Sequence, residues 1–142
     1  MRKAMLTMLA IAAIGSAGAL QAEVLKYTTK LDGASETPAN TSAGKGAAEV
    51  TLDTDSKTVS WTVTYSGLSG PATMGHLHGP AAVGAAAGVQ IPLTGDLASP
   101  IKGSAPINDG QIGDLRGGLW YINIHTAKNP KGEIRGQLMQ AK

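Results

Sequence analysis

The sequence holds three histidines, and two of them, His76 and His78, stand one residue apart in the run Gly75-His76-Leu77-His78-Gly79-Pro80. In an extended strand, successive side chains point to opposite faces and the rise is about 3.3 Å per residue, so these two emerge on one face about 6.6 Å apart at Cα. Imidazoles at that spacing can converge on one ion. The third, His125, lies in residues 119–126, where Ile122 and Ile124 alternate with Tyr121, Asn123 and His125. In both stretches the apolar residues have the opposite parity to the histidines, so all three imidazoles are expected to point away from the core. Imidazole nitrogen suits copper, zinc and nickel, whereas magnesium and calcium take oxygen ligands. Three neutral imidazoles with an open position would make a copper centre, or a catalytic zinc of the kind that activates water. Each ring must lose its proton to ligate, so binding is expected to weaken as the pH falls through about 6.5.

Other chemistry fits less well. A nucleophilic serine needs a base, and histidines engaged with a metal are not free to serve. Gly84 and Gly88 are not followed by the Lys-Ser or Lys-Thr of a phosphate loop. Asp53 and Asp55 read as turn residues, and Glu36 as solvated loop surface.

The elements that must hold the histidines are short strands. Leu25, Tyr27 and Leu31 mark a first one. Ala48, Val50 and Leu52 mark a second, and Val59, Trp61, Val63 and Tyr65 a third, the last two joined as a hairpin through residues 53–56. Val89, Ile91 and Leu93 alternate again, with Pro92 at an edge or break, and Ile134 and Leu138 mark a final strand. Residues 33–46 read as loop, 81–88 as a mobile Ala/Gly loop beside the histidines, and 99–115 as an ambiguous stretch with turn signals and room for a short helical turn. The chain has 19 Gly, 7 Pro and no Phe, which favours tight turns over long helices. Seven to eight strands predict an all-β fold, an antiparallel Greek-key-like β-sandwich or a barrel with similar connections. Trp61, Val63, Ile122, Ile124, Ile134 and Leu138 should share its core.

The N-terminus reads as a signal peptide over residues 1–22. Arg2 and Lys3 form its charged start, residues 4–14 its apolar stretch, too short to span a bilayer, and the cut falls after Ala19 or Ala22. Residues 23–142 then form one exported domain, periplasmic or secreted, with no membrane insertion. About 120 residues suffice for a core without the staples that the absent cysteines would supply. Without Arg2 and Lys3 the basic residues equal the 10 acidic ones, so no nucleic-acid partner is expected.

Three blocks carry a family resemblance: His76-Leu77-His78-Gly79-Pro80-Ala81, Leu119-Trp120-Tyr121-Ile122-Asn123-Ile124-His125-Thr126, and Asn129-Pro130-Lys131-Gly132-Glu133-Ile134-Arg135-Gly136-Gln137-Leu138. In that order they resemble the CHRD domain, named from the growth-factor-binding extracellular protein chordin and found also in exported bacterial proteins. A weaker resemblance is to the copper-zinc superoxide dismutases, which surround copper with a His-x-His strand, a later histidine and an arginine near the C-terminus. His76, His78, His125 and Arg135 match those positions by order. There is no match to the bridging histidine, the zinc cluster or the disulfide. The resemblance therefore implies one copper ion, no zinc site, superoxide as substrate and Arg135 as the catalytic residue that attracts it. The fourth copper ligand is open, with water or Met74 as candidates. A metal-storing or protein-binding module without turnover and a zinc hydrolase on the same histidines are the alternatives. A three-residue hairpin loop at residues 130–132 would pair Asn129 with Glu133, His125 with Gln137 and Ile124 with Leu138, making His125 and Arg135 diagonal neighbours on one face.

Overall fold

Period-two alternation builds most of the fold. In β1 (Val24–Asp32), Leu25, Tyr27 and Leu31 turn inward while Lys26, Thr28 and Lys30 face solvent. In β2 (Lys45–Asp53) and β3 (Thr58–Ser66) the inward rows are Ala48, Val50, Leu52 and Val59, Trp61, Val63, and the two strands form the expected hairpin, Asp53 opposite Thr58. Then come β4 (Ala72–His78), β5 (Val89–Pro92), β6 (Ile101–Pro106), α1 (Asp109–Arg116), β7 (Tyr121–Thr126), β8 (Ile134–Gln137) and the two-residue β9 (Met139–Gln140). The computed structural model describes Gly18 and residues 21–142. The expected signal segment lies outside the described residues save for Gly18, Gln21 and Ala22.

The nine strands make one antiparallel sheet, ordered β5-β4-β7-β8-β1-β2-β3-β6, with β9 on β1. At the β8–β1 joint the pairing thins to Arg135 opposite Asp32, with β9 pairing β1 at Tyr27–Gln140 and Thr28–Met139, and the resulting all-β sandwich encloses one core. Trp61 and Val63 from one half meet Ile122, Ile124, Ile134 and Leu138 from the other there, as parity predicts. Burying each such side chain fully contributes about 1.5–3 kcal/mol. On the histidine strand itself, Gly75 faces this core: a Cβ there would stand 2.8 Å from Leu93 and 3.0 Å from Ile124.

Several expectations are corrected. Residues 99–115 are not turns alone: β6 pairs with β3, and α1 begins in a capping box, Asn108 Oδ1 accepting from Gln111 N while Gln111 Oε1 accepts from Asn108 N. The β7–β8 register is shifted by four residues from the expected one, with Tyr121 opposite Gln137, Asn123 opposite Arg135 and Ile124 opposite Ile134. The turn at residues 129–132 forms, Gly132 N donating to Asn129 O at 3.0 Å. It closes a wider loop because Thr126, Asn129 and Ser69 side chains gather on the buried Glu133 carboxylate. A four-residue shift preserves parity, so the core and outward faces stand as expected.

Candidate metal centre

β4 and β7 are hydrogen-bonded neighbours, with His78 opposite Tyr121, His76 opposite Asn123 and Met74 opposite His125. That register sets the three imidazoles on one face. One ring nitrogen from each lies within 4.8 Å of the others. His76 is edge-on to both partners, with ring centroids 5.3 Å from His78 and 4.9 Å from His125, and its Nδ1 is 3.1 Å from His125 Nε2.

The surroundings choose which nitrogens are offered. His78 Nδ1 lies 3.0 Å from Ala87 O and His125 Nδ1 2.8 Å from Pro130 O. A carbonyl only accepts, so each Nδ1 carries the proton and each neutral ring turns an Nε2 lone pair toward the centre. Metal-bound histidines are held in this way, the far N–H donated to a carbonyl that fixes tautomer and orientation. Burial together with the neighbouring imidazoles His125 and His78 pushes the His76 pKa down to about 4. Burial lowers that of His78 as well. His76 therefore keeps its lone pair well below the pH of about 6.5 expected from an unperturbed ring. The donor set is one that copper or zinc can take.

The imidazoles point away from the core, as expected, yet only His76 is partly open; β7 is buried on both faces along its whole length. Two loops cover the second face. Residues 81–88, expected to be mobile, are pinned by their backbone: Ala81 O accepts from Gln137, Ala85 O from Arg135, and Ala87 O from Tyr121. Residues 33–40 meet them where Thr37 Oγ1 donates to Gly84 O. The short Ala side chains bring those carbonyls close to the strand face. Glu36, expected at the surface, is buried in the same lid, and burial raises its carboxyl pKa.

Arg135 lies on the histidine face diagonal to His125, as expected, but is only 2% exposed. Its guanidinium carbon is 3.5 Å from the centroid of the Tyr121 ring. The His78 imidazole stacks on that ring at 4.7 Å, 3° from parallel. Two planar groups at these separations cannot share a face, so Tyr121 lies between them. Arg135 donates to Thr37 Oγ1 at 3.1 Å, Ala85 O at 2.7 Å and Gln137 Oε1 at 3.5 Å, and has no carboxylate within ion-pair distance among the described residues.

Three residues that the sequence reading left out serve the site. Asn123 is buried with Oδ1 on both Nε2 atoms; its place two residues before His125 on an alternating strand was the available signal. Glu133 is fully buried. Burial alone would raise its carboxyl pKa, but donation from Ser69, Thr126 and Asn129 holds it below the usual range. It thereby secures the turn that presents Pro130 O to His125. Tyr121 clamps the Ala87 peptide, its hydroxyl accepting from Ala87 N at 3.1 Å. Met74, considered as a ligand, stands opposite His125 and is 45% exposed.

The model of the CHRD domain family matches residues 27–138, a span that takes in all three histidines, Asn123 and Arg135. No curated protein and no solved structure matches the chain, so the weaker resemblance to superoxide dismutases gains no support from these comparisons. Among the described residues no helix is long and apolar enough to cross a membrane.

Proposed function

The chain belongs to the CHRD domain family, and from that premise we propose an exported, periplasmic or secreted protein that binds one copper ion through His76, His78 and His125 and dismutates superoxide. The observation that carries the reading is the fixing of two Nδ1–H groups on Ala87 O and Pro130 O, which aims two Nε2 lone pairs at the space beside His76. Copper bound there supplies one-electron exchange between Cu(II) and Cu(I), by which two superoxide ions and two protons become O2 and H2O2. The half-open His76 side gives a small anion its approach. Arg135 contributes a permanent positive charge that among the described residues forms no ion pair, the buried Glu36 carboxyl being the acidic group that feels it, and in a poorly solvated setting such a charge draws anions from a distance.

Storage or delivery of copper without turnover is the second reading. The commitment of Arg135 to Tyr121, Thr37, Ala85 and Gln137 favours it, because a guanidinium so held is not free to bind substrate directly.

Metal analysis of the mature domain after copper loading, with an electron paramagnetic resonance spectrum, tests the site. One copper per chain is expected, lost in each of His76→Ala, His78→Ala and His125→Ala; unchanged stoichiometry and spectra in any two of these would refute it. Catalytic consumption of superoxide by the loaded protein supports the dismutase, and bound copper without turnover supports storage. Uptake of zinc alone would point to a hydrolase on the same histidines.

A further inference from the structure

Asn123 occupies the middle of the histidine face, with His76 opposite on β4 and Arg135 opposite on β8. It is 3% exposed, and its Oδ1 stands 3.0 Å from His78 Nε2 and 3.1 Å from His125 Nε2. The protons needed for these contacts are missing. Both Nδ1–H groups are committed to backbone carbonyls, so both Nε2 atoms of the neutral rings bear lone pairs, and an amide oxygen bears only lone pairs as well. His76 can supply one proton, to His125 Nε2, and nothing then remains between Oδ1 and His78 Nε2. Three lone-pair atoms gather where the ring nitrogens of the three histidines lie within 4.8 Å of one another, and a cation is what such a set lacks.

The separations suit one. Donors 2.0–2.1 Å from a common ion lie about 2.8–3.4 Å from each other, the lower end for square-planar and the upper for tetrahedral geometry. The observed 3.0 and 3.1 Å fall inside that range. Turning the amide end for end would also remove the conflict, by offering Nδ2 hydrogens to the two rings. Glu36 opposes it. Its Oε1, buried and without a hydrogen-bond partner, lies with Asn123 Nδ2 around Gly132: a Cβ on Gly132 would collide with Glu36 Oε1 and stand 2.8 Å from Asn123 Nδ2. With Glu36 ionised, the reversed amide would set its oxygen beside a carboxylate oxygen, which only accepts. Gly132, at φ 126°, is what leaves room for the two to meet.

We propose that Asn123 is the fourth donor of the metal centre, through Oδ1, and that Glu36 fixes which end of the amide faces the ion. The proposal rests on the three-histidine reading and fills the position that the sequence left open. An amide oxygen among imidazoles suits Cu(II), which takes mixed nitrogen and oxygen donors.

The test is titration with Cu(II) alone, affinity being read by chelator competition and the site by electron paramagnetic resonance. Asn123→Leu removes the oxygen at similar volume; one copper is still expected on three imidazoles, with a changed spectrum and affinity lowered about 10–100-fold, as loss of a supporting metal contact does. Asn123→Asp is made together with Glu36→Gln, so that the new carboxylate does not face another. An anionic oxygen ligand strengthens binding relative to Glu36→Gln alone. Were Asn123 only a hydrogen donor to the rings, copper would have to displace it from both Nε2 atoms, so Asn123→Leu would bind copper as tightly as wild type or more tightly, and that result overturns the proposal. Identical spectra and affinities for wild type and Asn123→Leu overturn it too. Wild-type protein supplies a measurement that no folding defect can spoil: the Asn123 13Cγ resonance should shift on loading with diamagnetic Zn(II), which also takes nitrogen and oxygen donors, and an unmoved resonance counts against ligation. If wild-type protein takes no copper, the three-histidine reading falls first and this proposal with it.

Discussion

β3 and β7 line the same core with the same alternation, yet β3 presents its second face to solvent and β7 is buried on both. Outside Val59, Trp61 and Val63 stand Ser60, Thr62 and Thr64, all exposed. Outside Ile122 and Ile124 stand Tyr121, Asn123 and His125, under a lid of two loops tied together over Arg135. A polar face taken out of water is costly unless its groups are hydrogen-bonded. On β7, Tyr121 and His125 are bonded to the backbone carbonyls of Ala87 and Pro130, and the lone pairs left over gather beside Asn123. The contrast teaches that an apolar row marks the core wherever it occurs, whereas a buried polar row marks the site.

The largest effects should not distinguish the two strands. Ile124→Ala on β7 and Leu138→Ala in the same core should each cost about 2–5 kcal/mol in urea unfolding, as should any fully buried large residue cut to Ala. Values under 1 kcal/mol would mean that β7 is not anchored through its inner face.

The outer faces should differ. Arg135→Ala removes the tie between the loops and should cost about 1–3 kcal/mol, the range for a buried hydrogen-bonded group, whereas Thr62→Ala on β3 should stay within about 0.5 kcal/mol. Under the dismutase reading, Arg135→Ala keeps copper but loses much of the rate, Arg135→Glu loses more, and Arg135→Lys is intermediate. Added salt should slow the wild type. Equal rates for wild type and Arg135→Glu, at low ionic strength and matched copper occupancy, would remove the arginine from the reaction.

A pH series sharpens the comparison further. His76 has a folded pKa of about 4 against about 6.5 for an unperturbed ring, so between these values the unfolded chain binds the extra proton. Its contribution is complete above the upper value and is lost as the pH falls toward the lower. Glu36, whose carboxyl is raised, works in the opposite sense, and a His76→Asn variant isolates the histidine. Metal-free wild type should lose more stability than His76→Asn between pH 7 and 4.5; parallel curves would show that the ring is not shielded.

The smallest effect belongs to the open face of β1 and β2. The Lys26–Glu49 ion pair is 3.1 Å long with both side chains about half exposed. Lys26→Ala should change stability by less than about 1 kcal/mol, and by nothing measurable in 1 M salt.

Much of this was legible in the chain because parity is a local property. Which face Ile122 or His125 takes depends only on odd and even positions, and a register error of four residues between β7 and β8 left that assignment intact. The capping box Asn108–Gln111 was legible too, but Gly110 and Gly113 weaken the helix that follows, and Leu115 is its one buried residue. The sequence by itself determined most of the strands, β6 excepted, the inward row, and the placing of three imidazoles on one face. Only the tertiary structure decided what covers that face. Arg135 reaches Thr37, 98 positions away, and His78 takes its proton's partner from a backbone carbonyl at Ala87. Carbonyls are the same on every residue, and nothing in the local pattern around Glu36 says which face its loop will close over. Burial of Glu36, the tautomers of His78 and His125, and the central place of Asn123 follow from that closure, which is fixed by contacts between distant segments.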